Sequence, residues 1–205
     1  MANTLQTYSM RKVYLIRHCL AESPGGKRIC LGQTDVPLGK EGRLQAEELK
    51  KRFESIPYTA VFSSPLLRAY ETAVYLGDPI VINRLKEAGA GDWDGLSFDE
   101  ITEKCPELYE ARGKDPNIPI PGAEDINLVR ERMTGAVRKA LDSSEGDICI
   151  VSHATAMKAF LSFISGIPAE RCRDIKIGSA EVITLEAVSS GDGWDISFGG
   201  KTKHL

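Results

Sequence analysis

The chain of 205 residues is long enough to bury a hydrophobic core and short enough to form one domain, and 42% of its residues are hydrophobic. Its 26 basic and 29 acidic residues nearly balance, without the basic stripe that nucleic acid or an anionic lipid surface requires. This composition disfavours nucleic acid and membrane as partners and favours a small molecule.

No apolar stretch approaches the roughly twenty residues that span a bilayer, and the first ten residues lack the charged and apolar regions of a signal peptide. The five cysteines include no C-x-x-C pair, which favours reduced thiols over a disulfide framework or a zinc site. We therefore expect a cytoplasmic protein with one domain over residues 1–205, of which residues 1–10 form a loose tail. The sequence predicts no particular oligomeric state.

The first predicted elements along the chain are a strand in KVYLI, a helix in EGRLQAEELKKRF and a strand in AVF. The strand segments are continuously apolar rather than alternating, which is typical of parallel strands covered by helices on both faces. The helix segment places Ala46, Leu49 and Phe53 on one side and charged residues on the other. These segments predict a strand, a crossover helix and a second strand.

The next segment, SPLLRAYETAVYLG, carries helix start and stop signals. Ser64 is placed as an N-cap, Pro65 as the first helical residue and Gly77 as the stop. Residues 96–125 then combine four prolines with charged residues that are compatible with helices. We expect this stretch to be an insertion or lid within the domain, over the edge of the sheet.

The last third of the chain continues the alternation of helices and strands. From Ala123, apolar residues recur every three or four positions along one helical face, at Ile126, Val129, Met133, Val137 and Leu141. A strand in DICIV, a helix in ATAMKAFLSFISG and strands in AEVITLEAV and WDISF follow. This order predicts an α/β fold, a three-layer sandwich with a mostly parallel central sheet and helices on both faces.

Polar residues follow three of the predicted strands at the points where each strand ends. The first strand ends in Arg17 and His18, the second is followed by SSPLLR with Arg68, and the strand in DICIV is followed by a serine and His153. The carboxyl ends of parallel strands form one rim of a sheet, where ligands bind. We therefore expect these four side chains to share a cleft.

Two arginines and two histidines, without a cluster of carboxylates to hold a metal, indicate a site for a phosphoryl group. The planar guanidinium matches phosphate oxygens and stays charged. Arg68 also lies in the first turn of a predicted helix, where free amides favour an anion. A neutral imidazole can attack phosphorus and a protonated one can stabilise it, so we expect one histidine of each kind.

Each of these residues also has a purely structural interpretation. A single histidine at a strand end is more often a packed, hydrogen-bonded residue than a catalyst, and a helix arginine is more often solvated. The interpretation as a site rests on the pair, because two of the three histidines close apolar strands. The third, His204, lies in the tail GGKTKHL and is most simply solvated.

Six motifs, in this order, resemble those of the histidine phosphatase superfamily, also called the phosphoglycerate mutase-like family: the RH strand end, GQTDVPLGKEGRLQA, SSPLLRAYETA, EAGAGDWDGL, PGAED and SHATAMKA. The resemblance runs from about Val13 to Thr184. It implies a phosphoglycerate mutase-like fold with a mostly parallel sheet. It also implies a phosphohistidine mechanism acting on a small phosphate ester.

On the matching positions, the resemblance implies His18 as the nucleophile, Arg17 and Arg68 as phosphate clamps and His153 as the second pocket histidine. It also implies that Glu87, in the segment similar to L-x-E-x-x-x-G, is the proton donor to the leaving group. By residue chemistry alone, Glu87 would be an ordinary surface acid. The arginines supply the charge that magnesium supplies elsewhere, so we expect neither a metal nor another cofactor.

Three residues depart from the family pattern, and one of them is Pro24, which stands where the family often has an asparagine six residues beyond the nucleophile. The family usually has glycine after the nucleophile and commonly has glycine after the second histidine, whereas this chain has Cys19 and Ala154. Cys19 offers an alternative nucleophile, as in cysteine phosphatases, and a nearby arginine would lower its pKa. The loop of those enzymes resembles Cys-x5-Arg, however, and Gly25 stands at the arginine position here, so the imidazole is favoured.

Within the family, a mutase is the main alternative to a phosphatase. Mutases of this fold usually carry a basic residue directly after the catalytic glutamate and a tyrosine before the glycine, where this chain has Ala88 and Ala90. The lid also lacks an adjacent pair of arginines, so we predict a phosphatase, and CLGQTDVPL resembles the α-ribazole phosphatase branch. A catalytically inactive phosphate-binding module is the second alternative, and the retained Glu87 argues against it.

The natural substrate is not predicted by the sequence. The lid offers four possible contacts, each of them more often solvent-facing than ligand-binding: Lys104, Tyr109, Arg112 and Lys114. Arg28 is a further candidate whose reach the sequence leaves open.

Overall fold

The computed structural model describes residues 10–205. The strands are β1 (Met10–Arg17), β2 (Ala60–Ser63), β3 (Pro79–Val81), β4 (Ile148–Ser152), β5 (Val182–Ser190), β6 (Gly193–Phe198) and β7 (Lys201–His204). The α-helices are α1 (Lys40–Phe53), α2 (Leu67–Val74), α3 (Phe98–Lys104), α4 (Pro106–Lys114), α5 (Ile126–Asp142) and α6 (Ala154–Ile164). None of the helices in this range is long and apolar enough to cross a membrane.

The seven strands pair in the order β3-β2-β4-β1-β5-β6-β7. Pairing is parallel among β1 to β4 and antiparallel where β5, β6 and β7 join. The α/β fold class is confirmed, but the sheet is mixed where the sequence predicts a mostly parallel one. Strands β5, β6 and β7 follow one another through short turns, which connect only antiparallel neighbours, whereas parallel neighbours need a crossover.

Both faces of the sheet are apolar, which explains the continuous apolar runs in the sequence. Val13 and Leu15 of β1 pack with α5 and α6 in one core cluster. Tyr14 and Ile16 of the same strand pack with α1 and α2 in a second cluster. Successive residues of a strand point to opposite faces, so a strand covered on both sides needs an apolar residue at every position. The predicted helices on both faces are thus confirmed.

Helix α2 begins later than the sequence predicts. It starts at Leu67 and ends at Val74, so Ser64 is not its N-cap, Pro65 is not its first residue and Gly77 lies beyond its end. The hydroxyl of Ser64 instead accepts a hydrogen bond from the amide of Leu66 at 3.2 Å and contacts a histidine described below. The order of serine and proline is typical of a helix start, but here the serine hydroxyl contacts the histidine and does not cap the helix.

Two strands carry no sequence signal. Edge strand β3 is three residues long and begins with a proline, and β7 has four exposed residues, KTKH. Neither has the apolar run by which the other strands are recognised. The expected loose tail falls mainly on residues 1–9, which lie outside the described residues, whereas Met10 is the first residue of β1 and pairs with Val188.

Residues 96–125, the predicted lid, contain α3, α4 and an irregular return to α5. A capping box starts α3, since the amide of Glu100 donates to Ser97 Oγ and the amide of Ser97 donates to Glu100 Oε2. Together with residues 87–90, the lid lines a cavity of about 740 Å³. The lid therefore forms a wall of the chamber that opens beside Glu87.

Candidate active site

His18 and His153 lie side by side because they follow two neighbouring parallel strands. Arg17 at the end of β1 is in register with Ser152 at the end of β4, and the amide of His18 donates to the Ser152 carbonyl at 2.9 Å. The two imidazole centroids are 5.0 Å apart, with the rings inclined at 55°. The structure thus brings together the two histidines that the sequence expects to share a cleft.

The imidazole of His18 is held in the form that a nucleophile needs. Its Nδ1 lies 2.7 Å from the carbonyl oxygen of Cys19, which can only accept, so Nδ1 carries the proton and Nε2 keeps its lone pair. Burial, opposed by this hydrogen bond and reinforced by the charges of Arg68 and Arg17, lowers the pKa of His18 to about 3. The ring is therefore neutral at physiological pH.

His153 is fully buried, and its Nε2 lies 2.8 Å from Ser64 Oγ. Burial and the neighbouring His18 and Arg68 lower the pKa of His153 well below its ordinary value. The protein groups of the pocket therefore favour a neutral His153, not the protonated one expected from the sequence, because a further positive charge would stand beside the arginines. A bound anion would raise the pKa of His153 and favour its protonated form.

Both predicted arginines present unpartnered donors. Arg17 Nη1 donates to the carbonyl of Ile177 at 2.7 Å, while Arg68 is 1% exposed and donates to two backbone carbonyls. Five buried side-chain polar atoms in residues 10–205 have no hydrogen-bond partner, and three of them are Arg17 Nε, Arg68 Nε and Nδ1 of His153. Buried donors normally have partners, so this cluster fits a site for an anion.

The guanidinium of Arg68 is oriented by a loop that another carboxylate holds. Its Nη1 donates to the Thr34 carbonyl at 2.9 Å and its Nη2 to the Gly32 carbonyl at 2.7 Å. Asp94 accepts from the amides of both residues and of Gln33 between them. A Cβ at Gly32 would lie 2.7 Å from the backbone nitrogen of Ala90. The close approach of these segments therefore requires glycine there.

Glu87 is buried, and its carboxylate lies at the N-terminus of α6. Oε1 accepts from the amides of Ala88 at 2.8 Å and Ala156 at 3.0 Å, and Oε2 accepts from Thr155 at 3.1 Å. The amides of Thr155 and Ala156 are among those that a helix start leaves free. Because α6 begins directly after His153, the same helix start places the second histidine and the carboxylate.

Two of the four possible substrate contacts in the lid line the cavity beside Glu87, and the other two do not. Tyr109 and Arg112 line it, and the Arg112 guanidinium stacks over the Trp93 ring at 5.4 Å. Lys104 and Lys114 do not line it, since both form exposed pairs one helical turn away along their own helices. Arg28 is exposed and stacks over Phe98 at 4.7 Å without joining the lining.

Comparison with known proteins agrees with this arrangement. The family model of the histidine phosphatase superfamily (branch 1) matches residues 13–198. The chain belongs to this superfamily. A relative named "Probable phosphoglycerate mutase GpmB" from Cronobacter sakazakii is 30% identical over 96% of this chain and 95% of its own length.

Solved structures of phosphatases share the fold. The mycobacterial glucosyl-3-phosphoglycerate phosphatase superposes with a TM-score of 0.75 at 26% identity, over 87% of this chain and 91% of that chain. The alpha-ribazole phosphatase from Shigella flexneri has a TM-score of 0.74 at 22% identity, over 95% of each chain, a likeness that concerns the fold alone. The histidine phosphatase chain is thus similar both to a protein named as a mutase and to proteins named as phosphatases.

Cys19 is part of the hydrophobic core. It has no exposed surface and packs in the cluster that α1 and α2 cover. Burial raises the pKa of its thiol, although the contact with Thr72 opposes this, so the expectation that a nearby arginine lowers it is wrong. The side chain at the usual glycine position thus extends into the core, and a thiol of this kind is a poor nucleophile.

The remaining polar residues add no second centre. Within residues 10–205, His, Cys, Asp and Glu side chains form no group of three or more that could hold a metal ion. His204 lies on β7, half-exposed, and its Nδ1 is 2.9 Å from Asp195 Oδ1, so the predicted tail is a paired strand. It is not part of the pocket.

Sequence reasoning missed the residues that support the pocket. Ser64 contacts His153, Asp94 holds the loop beneath Arg68, and Gln33 donates to the Glu87 carbonyl at 3.1 Å. All three lie inside the family motifs SSPLLRAYETA, EAGAGDWDGL and GQTDVPLGKEGRLQA. Their place in these motifs was the available signal, but no local pattern states which distant residue each one contacts.

Proposed function

We propose that the protein is a phosphomonoesterase that hydrolyses a small phosphorylated metabolite through a phosphohistidine at His18, without a metal ion. The observation that carries the proposal is the free Nε2 of a neutral His18 beside two buried, unpartnered arginine donors, Arg17 Nε and Arg68 Nε, and the unpartnered Nδ1 of His153. A phosphoryl group offers acceptors to these donors and an electrophilic centre to Nε2. The buried carboxylate of Glu87 lies at the edge of the cavity that would hold the leaving group.

In the first step, Nε2 of His18 attacks phosphorus and the ester P–O bond breaks. Arg17, Arg68 and His153 stabilise the charge on the equatorial oxygens, so most of the acceleration comes from positioning and electrostatics. Protonated Glu87 donates its proton to the departing alkoxide. The products of this step are the free alcohol and a phosphohistidine.

In the second step, the phosphohistidine is hydrolysed. The Glu87 carboxylate, having lost its proton, accepts one from a water molecule that attacks phosphorus. The N–P bond breaks, its electron pair returns to Nε2 of His18, and inorganic phosphate leaves. One carboxylate thus serves both half-reactions.

Phosphoglycerate mutase-type transfer is the alternative that the name of the GpmB relative favours. A mutase must hold a phosphorylated acid while its phosphoryl group returns to a second oxygen. This chain has Ala88 and Ala90 where mutases usually carry basic and tyrosine residues, and Arg112 is the single arginine of residues 96–125. These features support hydrolysis. The placement of Glu87 argues against a third possibility, an inactive phosphate-binding module.

The experiment that tests the proposal compares His18→Ala with Cys19→Ser on p-nitrophenyl phosphate in EDTA. The first variant is expected to lose all detectable turnover and the second to keep most of it. The opposite pattern would assign the nucleophile to the thiol. Absence of wild-type turnover together with tight phosphate binding would support the module.

A second experiment tests the acid. Glu87→Gln is expected to lower kcat/KM, which reports formation of the phosphohistidine, by about 100-fold or more on an alkyl phosphate and far less on an aryl phosphate, because a phenolate leaves without a proton. Equal losses on both substrates would remove this role. Sugar phosphates, nucleotides, α-ribazole phosphate and phosphoglycerates, the last assayed also for isomerisation, are the substrates to compare.

A further inference from the structure

The backbone that carries Glu87 is held by an arginine from outside the pocket. Arg132 of α5 donates through Nη1 to the carbonyls of Arg84 and Lys86, both at 2.7 Å, and through Nη2 to the Glu87 carbonyl at 2.9 Å. The same guanidinium pairs with both oxygens of Glu124, Nε to Oε1 at 2.6 Å and Nη2 to Oε2 at 2.9 Å. Each of its three nitrogens therefore has at least one acceptor.

Glu124 holds the chain on the other side of Glu87. Its Oε2 accepts from the amide of Gly89 at 3.1 Å, and its own amide donates to the Gly89 carbonyl at 3.0 Å. The side chains of Arg132 and Glu124 are only 15% and 21% exposed, so solvent screens their pairing little. The segment on both sides of Glu87 is irregular apart from two short 3₁₀ turns, so these bonds replace the regular pairing that a strand would supply.

We propose that Arg132 and Glu124 form a clasp whose function is to position Glu87 for proton transfer. The inference rests on the proposed role of Glu87 as the acid. The amides of α6 hold the carboxylate of Glu87, and the clasp holds its backbone. An acid must lie within hydrogen-bond reach of the leaving oxygen, and a displacement of about 1 Å costs about 100-fold in rate. Arg132 and Glu124 are thus positioning residues, since they contact the acid's backbone and its flanking residues.

The test uses the dependence of rate on the leaving group, which a merely structural pair would not change. Arg132→Met and Glu124→Gln are assayed on glycerophosphate and on p-nitrophenyl phosphate, with Glu87→Gln as reference. Each clasp variant is expected to reduce kcat/KM, which reports only the step that releases the leaving group, by about 10- to 100-fold on the alkyl ester and by about threefold or less on the aryl ester. Glu124→Gln keeps the shape of the side chain, and the same two rates measured on this variant carry the test if Arg132→Met fails to fold.

Arg130→Met is the matched control. Arg130 lies on the same helix and donates from inside the protein to Ser162 Oγ and the Ile167 carbonyl, without contacting the Glu87 segment. Its loss is expected to lower the melting temperature while slowing both substrates equally. In the Glu87→Gln background, Arg132→Met is expected to cause no further loss that depends on the leaving group.

The outcomes separate the two proposals. If Glu87→Gln slows both esters equally, the role of Glu87 in the proposed function is wrong. If Glu87→Gln discriminates between the esters but both clasp variants slow them equally, as the Arg130 control does, the clasp is only structural and the inference is overturned. A further alkyl-specific loss in the double variant would also overturn it, because Arg132 would then act independently of Glu87.

Discussion

Replacing Asp94 by asparagine tests whether a carboxylate outside the pocket keeps Arg68 in place. Asp94 accepts from the amides of Gly32 at 3.0 Å, Gln33 at 2.7 Å and Thr34 at 3.1 Å. The carbonyls of Gly32 and Thr34 in turn receive the Arg68 guanidinium. The orientation of the Arg68 guanidinium therefore depends on one carboxylate that does not contact it directly.

The magnitude follows from the bonds that asparagine cannot make. One carboxylate oxygen becomes an NH₂ group that faces an amide donor, and the remaining oxygen loses its charge. Hydrogen bonds to charged groups contribute about 1.5–3 kcal/mol each and neutral ones about 0.5–1.5 kcal/mol, so the loss is about 2 kcal/mol at this partly exposed position. For a chain of this size, that lowers the melting temperature by about 4–8 °C.

Activity is expected to fall as well. Removing one donor from a developing negative charge costs about 100- to 1,000-fold, and Arg68 would be displaced rather than removed, so kcat/KM should fall about 10- to 100-fold. Asp92→Asn, an exposed acid two residues away, is the control and should change neither quantity. A lowered melting temperature with unchanged kcat/KM would refute the link from the loop to Arg68, and an unchanged melting temperature would refute the role of Asp94 in the loop.

The effect should depend on pH with a definite sign. Burial by itself would raise the pKa of Asp94, but the hydrogen bonds from Gln33, Thr34 and Gly32 outweigh it and hold the pKa below its ordinary value. The stabilisation is therefore present above the unfolded pKa of about 3.9 and is lost as the pH falls through the lowered value. The stability difference between wild type and Asp94→Asn should shrink in that window.

Three further predictions follow from the geometry. Ser64→Ala removes the hydroxyl 2.8 Å from the second histidine and should lower kcat about tenfold, whereas Ser63→Ala, at a buried neighbouring serine, should not; turnover assays check this. The pKa of His18 is lowered to about 3 in the folded protein, so between about pH 7 and about pH 5 a proton binds this imidazole only in the unfolded state. The free energy of unfolding of the wild type should therefore fall over this range by about 2 kcal/mol more than that of His18→Asn, as measured by urea titrations. Arg112→Met, in the cavity wall, should raise KM several-fold, whereas Lys114→Met on the same helix should leave it unchanged.

The central geometry of the site was predictable because it depends on strand order. Continuous apolar runs identified β1 and β4 as parallel strands covered on both faces, and polar residues at their ends marked the binding rim. Short right-handed crossovers favoured neighbouring positions for these strands without proving them. The adjacency of β4 and β1, which places His18 beside His153, was decided by the observed strand order.

The supporting contacts were not predictable because they join segments distant in sequence. Asp94 contacts a loop about 60 residues earlier, and Arg132 contacts a turn more than 40 residues earlier, neither with a periodic signal. Ser64 shows a different limit, since a serine before a proline is typical of a helix start, yet its hydroxyl contacts His153. Local propensity and tertiary contact compete at such a position, and the tertiary contact decides.

The protonation of His153 illustrates how the occupant of the pocket sets its electrostatics. Burial, followed by the charges of His18, Arg68 and Arg17 nearby, lowers the pKa of His153 and favours its neutral form. A phosphoryl dianion would offset the two guanidinium charges and replace their repulsion with attraction at the unpartnered Nδ1 of His153. In the proposed mechanism, His153 is therefore neutral before a phosphoryl group binds and protonated while one is bound. The ring of His18 keeps Nδ1–H in both, because that nitrogen remains bound to the Cys19 carbonyl. In the proposed mechanism His18 thus stays neutral while His153 gains a proton, and this asymmetry follows from the backbone contact that His18 makes.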